Sequence, residues 1–277
     1  MRPALHYSRA MANEQHRPAG NNPAGPGTAL ITGATAGLGA EFSRQLAERG
    51  LALVLVARDG ERLAAAAASL QQRYGVPVET IAADLVTDDG IDRVAGRLAA
   101  TDRPVTVLVN NAGYGLLGNF ADNELEDELK HLRIHTEAPL RLCHAALRSM
   151  AATGGGRIIN VASMAAFTPR GTYSAAKALI VNFSRWANVF YRDRGISVTA
   201  LCPGYVHTEF HDRMRLDKKT IPSFAWLNAD QVVREALRDA GAGKPVSIPS
   251  LKYKAAAVLA RFLPDKIVER VARRRDA

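Results

Sequence analysis

The chain has 277 residues, 47% of them hydrophobic, enough to bury a sizeable core in one large domain or two small ones. Its two cysteines, Cys143 and Cys202, give neither a disulfide framework nor zinc spacing, and no apolar run nears the roughly 18 residues of a spanning helix, so a reducing cytoplasm is the expected setting. The formal charge of +9 sits mainly at the ends, where residues 252–277 hold eight Lys/Arg against three Asp/Glu and residues 1–20 three against one, so a basic nucleic-acid groove in the body is not expected.

Residues 1–26 are rich in Pro, Gly and Asn, lack periodicity and are expected to be a disordered extension. From residue 27 to about 250, apolar runs alternate with helical patterns: TALIT, then 37–49; LALVLVA, then 59–74; VETIAA, then 87–101; VTVLVN, then 122–152; RIINVAS, then 173–194; ISVTALC, then 229–240; and finally PVSIP. Strands apolar on both faces and separated by helices predict an α/β fold: a single doubly wound parallel sheet, Rossmann-like, with helices on both faces. Residues 251–277 form a basic helical tail, read as packed on the same domain with a solvated basic end; weak contact with an anionic membrane surface is the alternative.

The turn after the first strand, TGATAGLG (32–39), is the first candidate binding element. Gly33, Thr35, Ala36, Gly37, Leu38 and Gly39 lead into a helix whose N-terminus can face a pyrophosphate. The first glycine permits the tight turn, the next lets backbone approach the ligand, and the last lets helix and strand pack closely. Alone, the run is weak evidence, the alternative being a glycine-rich structural turn. At the end of the second strand Ala57 offers no carboxylate to a ribose 2′-hydroxyl, whereas Arg58 can pair with a 2′-phosphate; the alternative is an ordinary surface arginine.

Tyr173 and Lys177 are four residues apart in a predicted helix and so share one face. A phenol titrates near ~10, and a nearby ammonium favours its charged form, which suits proton transfer. Ser163, closing the preceding strand, lies where the carboxyl ends of such a sheet open onto the crevice. His207 and His211 are four apart but lack further ligands, so no metal site is expected.

These elements, with Asp84-Leu85 after the third strand, NNAG (110–113), and Pro203-Gly204 followed by Val206 and Thr208, resemble the short-chain dehydrogenase/reductase family over about residues 28–210. The resemblance implies NADP(H) as cofactor, Tyr173 as proton donor or acceptor, Ser163 hydrogen-bonding the substrate oxygen, and Lys177 holding the nicotinamide ribose while lowering the tyrosine pKa. It implies Asp84 and Leu85 at the adenine, Asn110, Ala112 and Gly113 along the crevice, Pro203 and Gly204 beside them, and Val206 and Thr208 at the carboxamide. A homo-oligomer, dimer or tetramer, is part of the same expectation.

Two departures stand out. Ser163 and Tyr173 are only ten residues apart, about two or three fewer than is usual in the family, and His135 stands where the family carries an asparagine. His135 is therefore a candidate fourth catalytic residue, or else a packed histidine. Pro139, four residues on, lacks an N–H for the His135 carbonyl, so the helix should kink and free that carbonyl to hold a relay water. After Pro203-Gly204, Phe210, Met214, Ile221, Phe224 and Trp226 make a greasy lid, which suits an apolar carbonyl or alcohol substrate such as a 3-oxoacyl chain or steroid-like ring; the alternative is that they pack the lid on the body. A catalytically silent NADP-binding regulator is the competing functional reading.

Overall fold

The computed structural model describes residues 27–116, 118–169, 171–208 and 221–260. Residues 1–26, Phe210, His211, Met214 and the basic end beyond residue 260 lie outside the described residues. In chain order the first half runs β1 (Thr28–Thr32), α1 (Gly37–Glu48), β2 (Ala52–Ala57), α2 (Gly60–Tyr74), β3 (Val78–Ala82), α3 (Asp88–Ala99) and β4 (Val105–Asn110). The second continues with α4 (Leu125–Leu132), a π-helical turn Arg133–Glu137, α5 (Ala138–Thr153), β5 (Gly156–Val161), α6 (Gly171–Phe190) and β6 (Ile196–Leu201). Two short strands, β7 (Tyr205–Val206) and β8 (Trp226–Leu227), precede a helix Ala229–Gly241, strand β9 (Val246–Ser247) and a helix Leu251–Ala260.

Local chemistry sets several of these boundaries. The Asp59 carboxylate caps α2 by accepting the Arg62 N–H, and Gly75, at φ 67°, ends it. Thr87 caps α3 through the Gly90 N–H. The long helix expected over 122–152 is interrupted, and the interruption takes a definite form. Pro139 cannot return an N–H, and the ladder widens into a π turn in which Ala138 N–H reaches the Arg133 carbonyl, five residues back.

The main sheet has the order β3-β2-β1-β4-β5-β6-β9, parallel throughout. Order reverses between β1 and β4, so the loops leaving these two strands part and open a crevice at their carboxyl ends. Alternate residues serve opposite faces. Ala29, Ile31, Leu53 and Leu55 pack with Phe42 of α1, Leu63 of α2 and Val232 beyond β8. Leu30, Val54, Val56 and Leu108 pack with Ile91 and Val94 of α3, Leu142 of α5 and Ala187 of α6. Helices cover both faces, which explains why the central strands read as continuous apolar runs rather than alternating ones.

Candidate active site

The crevice is a cleft of about 400 Å³ that runs from Arg58, Arg62 and Asp84 at one end to Ser163, Tyr173 and Lys177 at the other. Every predicted cofactor residue lies on its wall except Gly39 and Asn110, and His135 lies there too. Gly39 serves packing: a Cβ there would come within 2.1 Å of the Gly33 carbonyl oxygen. Asn110 points the other way along the strand, into the layer beneath α5, where its Nδ2 donates to Asn160 Oδ1 at 2.8 Å. The next residue, Asn111, which the sequence reading had not singled out, lines the cleft and ties the glycine turn down, donating to the Thr32 carbonyl at 2.9 Å. Period-two alternation at the end of β4 was the signal for it.

The glycine turn is shaped for an anion. Gly33 and Gly37 have φ of 65° and 52°, a region side chains disfavour. Ala36, the N-cap of α1, has no side chain to satisfy the first-turn N–H groups, so these remain available to a ligand. Arg62, also missed from sequence, joins Arg58 at this end and donates to the Thr35 carbonyl at 3.2 Å. A basic residue in the first turn after the second strand was its only trace.

At the other end, Ser163 follows β5 in extended conformation, and its Oγ accepts the Ala165 N–H at 3.1 Å. Its own proton is thereby free to point at the Tyr173 phenol, whose pKa it draws down. Lys177 donates to the Val161 carbonyl at 2.7 Å, and its Nζ is 5.6 Å from the centre of the tyrosine ring. The expected lowering of the tyrosine pKa is not what the structure gives. Burial dominates and pushes the phenol up to about 12, with the Ser163 hydrogen bond opposing. Burial also brings Lys177 down to about 8. In dry surroundings the cost of a charge outweighs the attraction across this distance.

His135 is buried; its Nε2 meets the Tyr114 carbonyl at 2.8 Å and its ring centre lies 5.3 Å from that of Tyr173. His131, one turn earlier, lies 4.5 Å from His135 and 5.8 Å from Tyr173, ring centre to ring centre. Burial lowers both imidazoles below their ordinary range, His135 far below. Glu128, also buried, accepts Thr172 Oγ1 at 2.6 Å and Asn123 Nδ2 at 2.9 Å; the Thr172 bond leads in holding its carboxyl low. Beneath Lys177 a separate cavity of about 20 Å³ is lined by Thr32, Asn110, His135, Pro139 and Asn160. That is space for one water, and Asn110 Oδ1 is buried there without a partner among the described residues. Of the expected lid, Ile221 is packed in and Phe224 is exposed, so the two readings divide between residues.

The short chain dehydrogenase family model matches residues 27–219. The very-long-chain 3-oxoacyl-CoA reductase of Anas platyrhynchos is 32% identical over 80% of this chain and 72% of its own length. Among solved structures, a short-chain dehydrogenase from Sphingobium yanoikuyae in complex with NADPH superposes with a TM-score of 0.77 at 34% identity, covering 85% of this chain and 94% of that one. The bulky-bulky ketone specific alcohol dehydrogenase of Comamonas testosteroni gives 0.74 at 30%, covering 85% and 92%. With its parallel sheet, its glycine turn and its Ser163, Tyr173 and Lys177 side chains gathered at one end of the cleft, this chain belongs to the short-chain dehydrogenase/reductase family of oxidoreductases.

Proposed function

We propose that the protein is an NADP-dependent oxidoreductase that interconverts an apolar ketone and its secondary alcohol. The observation that carries this reading is the single cleft joining two arginines at the β2 end to Ser163, Tyr173 and Lys177 at the β5 end. The glycine cradle, with open N–H groups on α1, fits a pyrophosphate, and Arg58 with Arg62 fits a 2′-phosphate. Bound nicotinamide supplies the hydride.

The chain's own groups handle the oxygen. As hydride reaches a carbonyl carbon, negative charge grows on its oxygen, and a phenol held near 12 keeps its proton until that charge appears. Tyr173 donates this proton and Ser163 gives the second hydrogen bond. Lys177 Nζ, anchored on the Val161 carbonyl, holds the cofactor ribose and passes a proton back to Tyr173. The water-sized cavity beneath it, whose wall includes His135, can hold a water that returns a proton to Lys177.

An apolar substrate such as a 3-oxoacyl chain or a steroid-like ring is supported by the neighbours' bulky and acyl substrates and by the tilted pair of Trp226 and Tyr205 rings beside the cleft lip. We place the protein in the cytoplasm as part of the same proposal, with Cys143 and Cys202 as buried free thiols. Among the described residues no helix is long and apolar enough to cross a membrane. A panel of ketones read by NADPH absorbance tests the function: long-chain or polycyclic ketones should outpace small charged ones by at least tenfold in kcat/KM. The reverse order would remove the apolar-substrate reading, and no oxidation of NADPH by any ketone would favour the regulatory one.

A further inference from the structure

The helix Leu251–Ala260 is tied to the cleft by a contact that the dehydrogenase chemistry does not require. In the β7–β8 pair, Tyr205 faces Trp226 and Val206 faces Leu227. His207 N–H reaches the Leu227 carbonyl at 3.0 Å. By the even spacing of a parallel ladder, the rung on the other side would join Tyr205 N–H to the Ala225 carbonyl. A phenol occupies it instead: Tyr205 N–H donates to the Tyr253 hydroxyl at 3.2 Å, and that hydroxyl donates to the Ala225 carbonyl at 2.6 Å. A hydroxyl both donates and accepts, so it can stand in for a missing rung. The tyrosine ring lies against Gly204, where a Cβ would come within 1.9 Å of its Cζ.

We propose that Tyr253 is a positioning residue for the Pro203–Thr208 lip of the cleft, its hydroxyl completing the β7–β8 ladder and its ring filling the space left by Gly204. The lip carries Pro203, Gly204, Val206 and Thr208, all on the cleft wall. The helix behind Tyr253 is itself fixed. Ser250 starts it at φ 77°, with its N–H on the Glu235 carboxylate at 3.4 Å. Lys252 Nζ reaches the Phe224 carbonyl, and the helix also packs on the Met164–Phe167 turn that follows Ser163. One strut thus braces both the lip and the serine turn, and a substitution in Tyr253 acts on ligand binding without touching the ligand. The effect on cofactor binding rests on the NADP reading given above.

The test is a cycle of Gly204→Ala, Tyr253→Ala and the double variant, with Tyr253→Phe alongside, in the full chain. NADPH affinity is followed by fluorescence titration, backbone amides by hydrogen exchange, and folding by thermal midpoint. Tyr253→Phe should weaken NADPH binding at least threefold and speed exchange of the Tyr205 amide at least tenfold. Gly204→Ala should weaken NADPH binding at least tenfold, and adding Tyr253→Ala should recover part of that loss, since Tyr253 is what the new methyl meets. Unchanged exchange at Tyr205 in Tyr253→Phe, or no recovery in the double variant, would overturn the proposal. If the unmutated protein failed to bind NADPH the cofactor reading would fall, while the exchange arm would still decide the role of Tyr253.

Discussion

The Nε2 of His135 lies 2.8 Å from the carbonyl oxygen of Tyr114, and a carbonyl only accepts, so Nε2 carries the proton and Nδ1 is an acceptor. Nδ1 is buried with no partner among the described residues. The imidazole thus holds the segment after β4 against the π turn Arg133–Glu137, a packing duty separate from any proton relay. His135→Ala should therefore cost about 2–4 kcal/mol of stability, through a cavity and an unpaired carbonyl, while activity stays within about tenfold. Urea unfolding and steady-state rates on one preparation check both halves. A variant with no turnover but normal NADPH binding would make the imidazole itself the proton carrier.

The same burial makes stability pH-dependent. His135 is held well below its ordinary value of 6.5, chiefly by desolvation, with Lys177 and His131 adding repulsion. The unfolded chain takes up a proton near 6.5 and the folded chain does not, so stability is complete above that pH and is lost as pH falls below it. Unfolding free energies between pH 6.5 and 5 should decline by up to about 1.4 kcal/mol per unit for each such histidine. His135→Gln, whose amide can still donate to Tyr114, should flatten that slope. An unchanged slope would show that other groups set it.

Tyr173→Phe removes one hydroxyl from the half-buried ring and leaves its packing against His131 and His135. Turnover should fall by about 10² or more with NADPH affinity within threefold. A ketone assay paired with a binding titration decides it, and near-normal turnover would rule out the assigned proton transfer.

Arg58→Ala should lower the preference for NADPH over NADH at least tenfold, since a charge-assisted contact is worth about 1.5–3 kcal/mol. Arg62 shares that end of the cleft, so Arg62→Ala should act in the same direction and the double variant should go further. Comparing kcat/KM for the two cofactors measures this. Equal use of both by the unmutated protein would sink it.

Pro139→Ala gives α5 back an N–H beside the relay cavity, whose wall includes Pro139. The π turn Arg133–Glu137 should relax toward α-helix, with kcat down severalfold and the thermal midpoint unchanged or higher. A faster or unaltered enzyme would show that the turn has no part in proton supply.

Much of this was legible in the sequence for a simple reason. Strands such as LALVLVA are apolar on both faces only when helices cover both, so the doubly wound sheet followed from local pattern. The glycine turn and Ser163, Tyr173 and Lys177 were legible because each sits at a fixed offset from an element end. Asn110, Asn111 and Gly39 were harder, because which wall a residue faces depends on a one-residue phase at the end of a strand or the start of a helix. The phenol pKa was not legible, because i,i+4 spacing reveals charge proximity, whereas desolvation is a property of the finished packing. Tyr253 was out of reach: nothing near residue 253 announces that it will meet Gly204, 49 residues earlier.

The placement of β1 between β2 and β4 also governs how the molecule can be made. Thr28 pairs with Ala52 on one side and with Val105 on the other, so during synthesis one edge of the first strand waits for a partner some 75 residues downstream. At ribosomal speeds of about 5–20 residues per second that is a wait of several seconds with a strand meant for the interior, TALIT, open on one side. Such an edge is a template for pairing with a neighbouring nascent chain. Fragments that stop short of Val105 should aggregate on expression, and fragments that reach past Asn110 should be markedly more soluble. The most exposed moment of this protein therefore falls before any part of its second half exists.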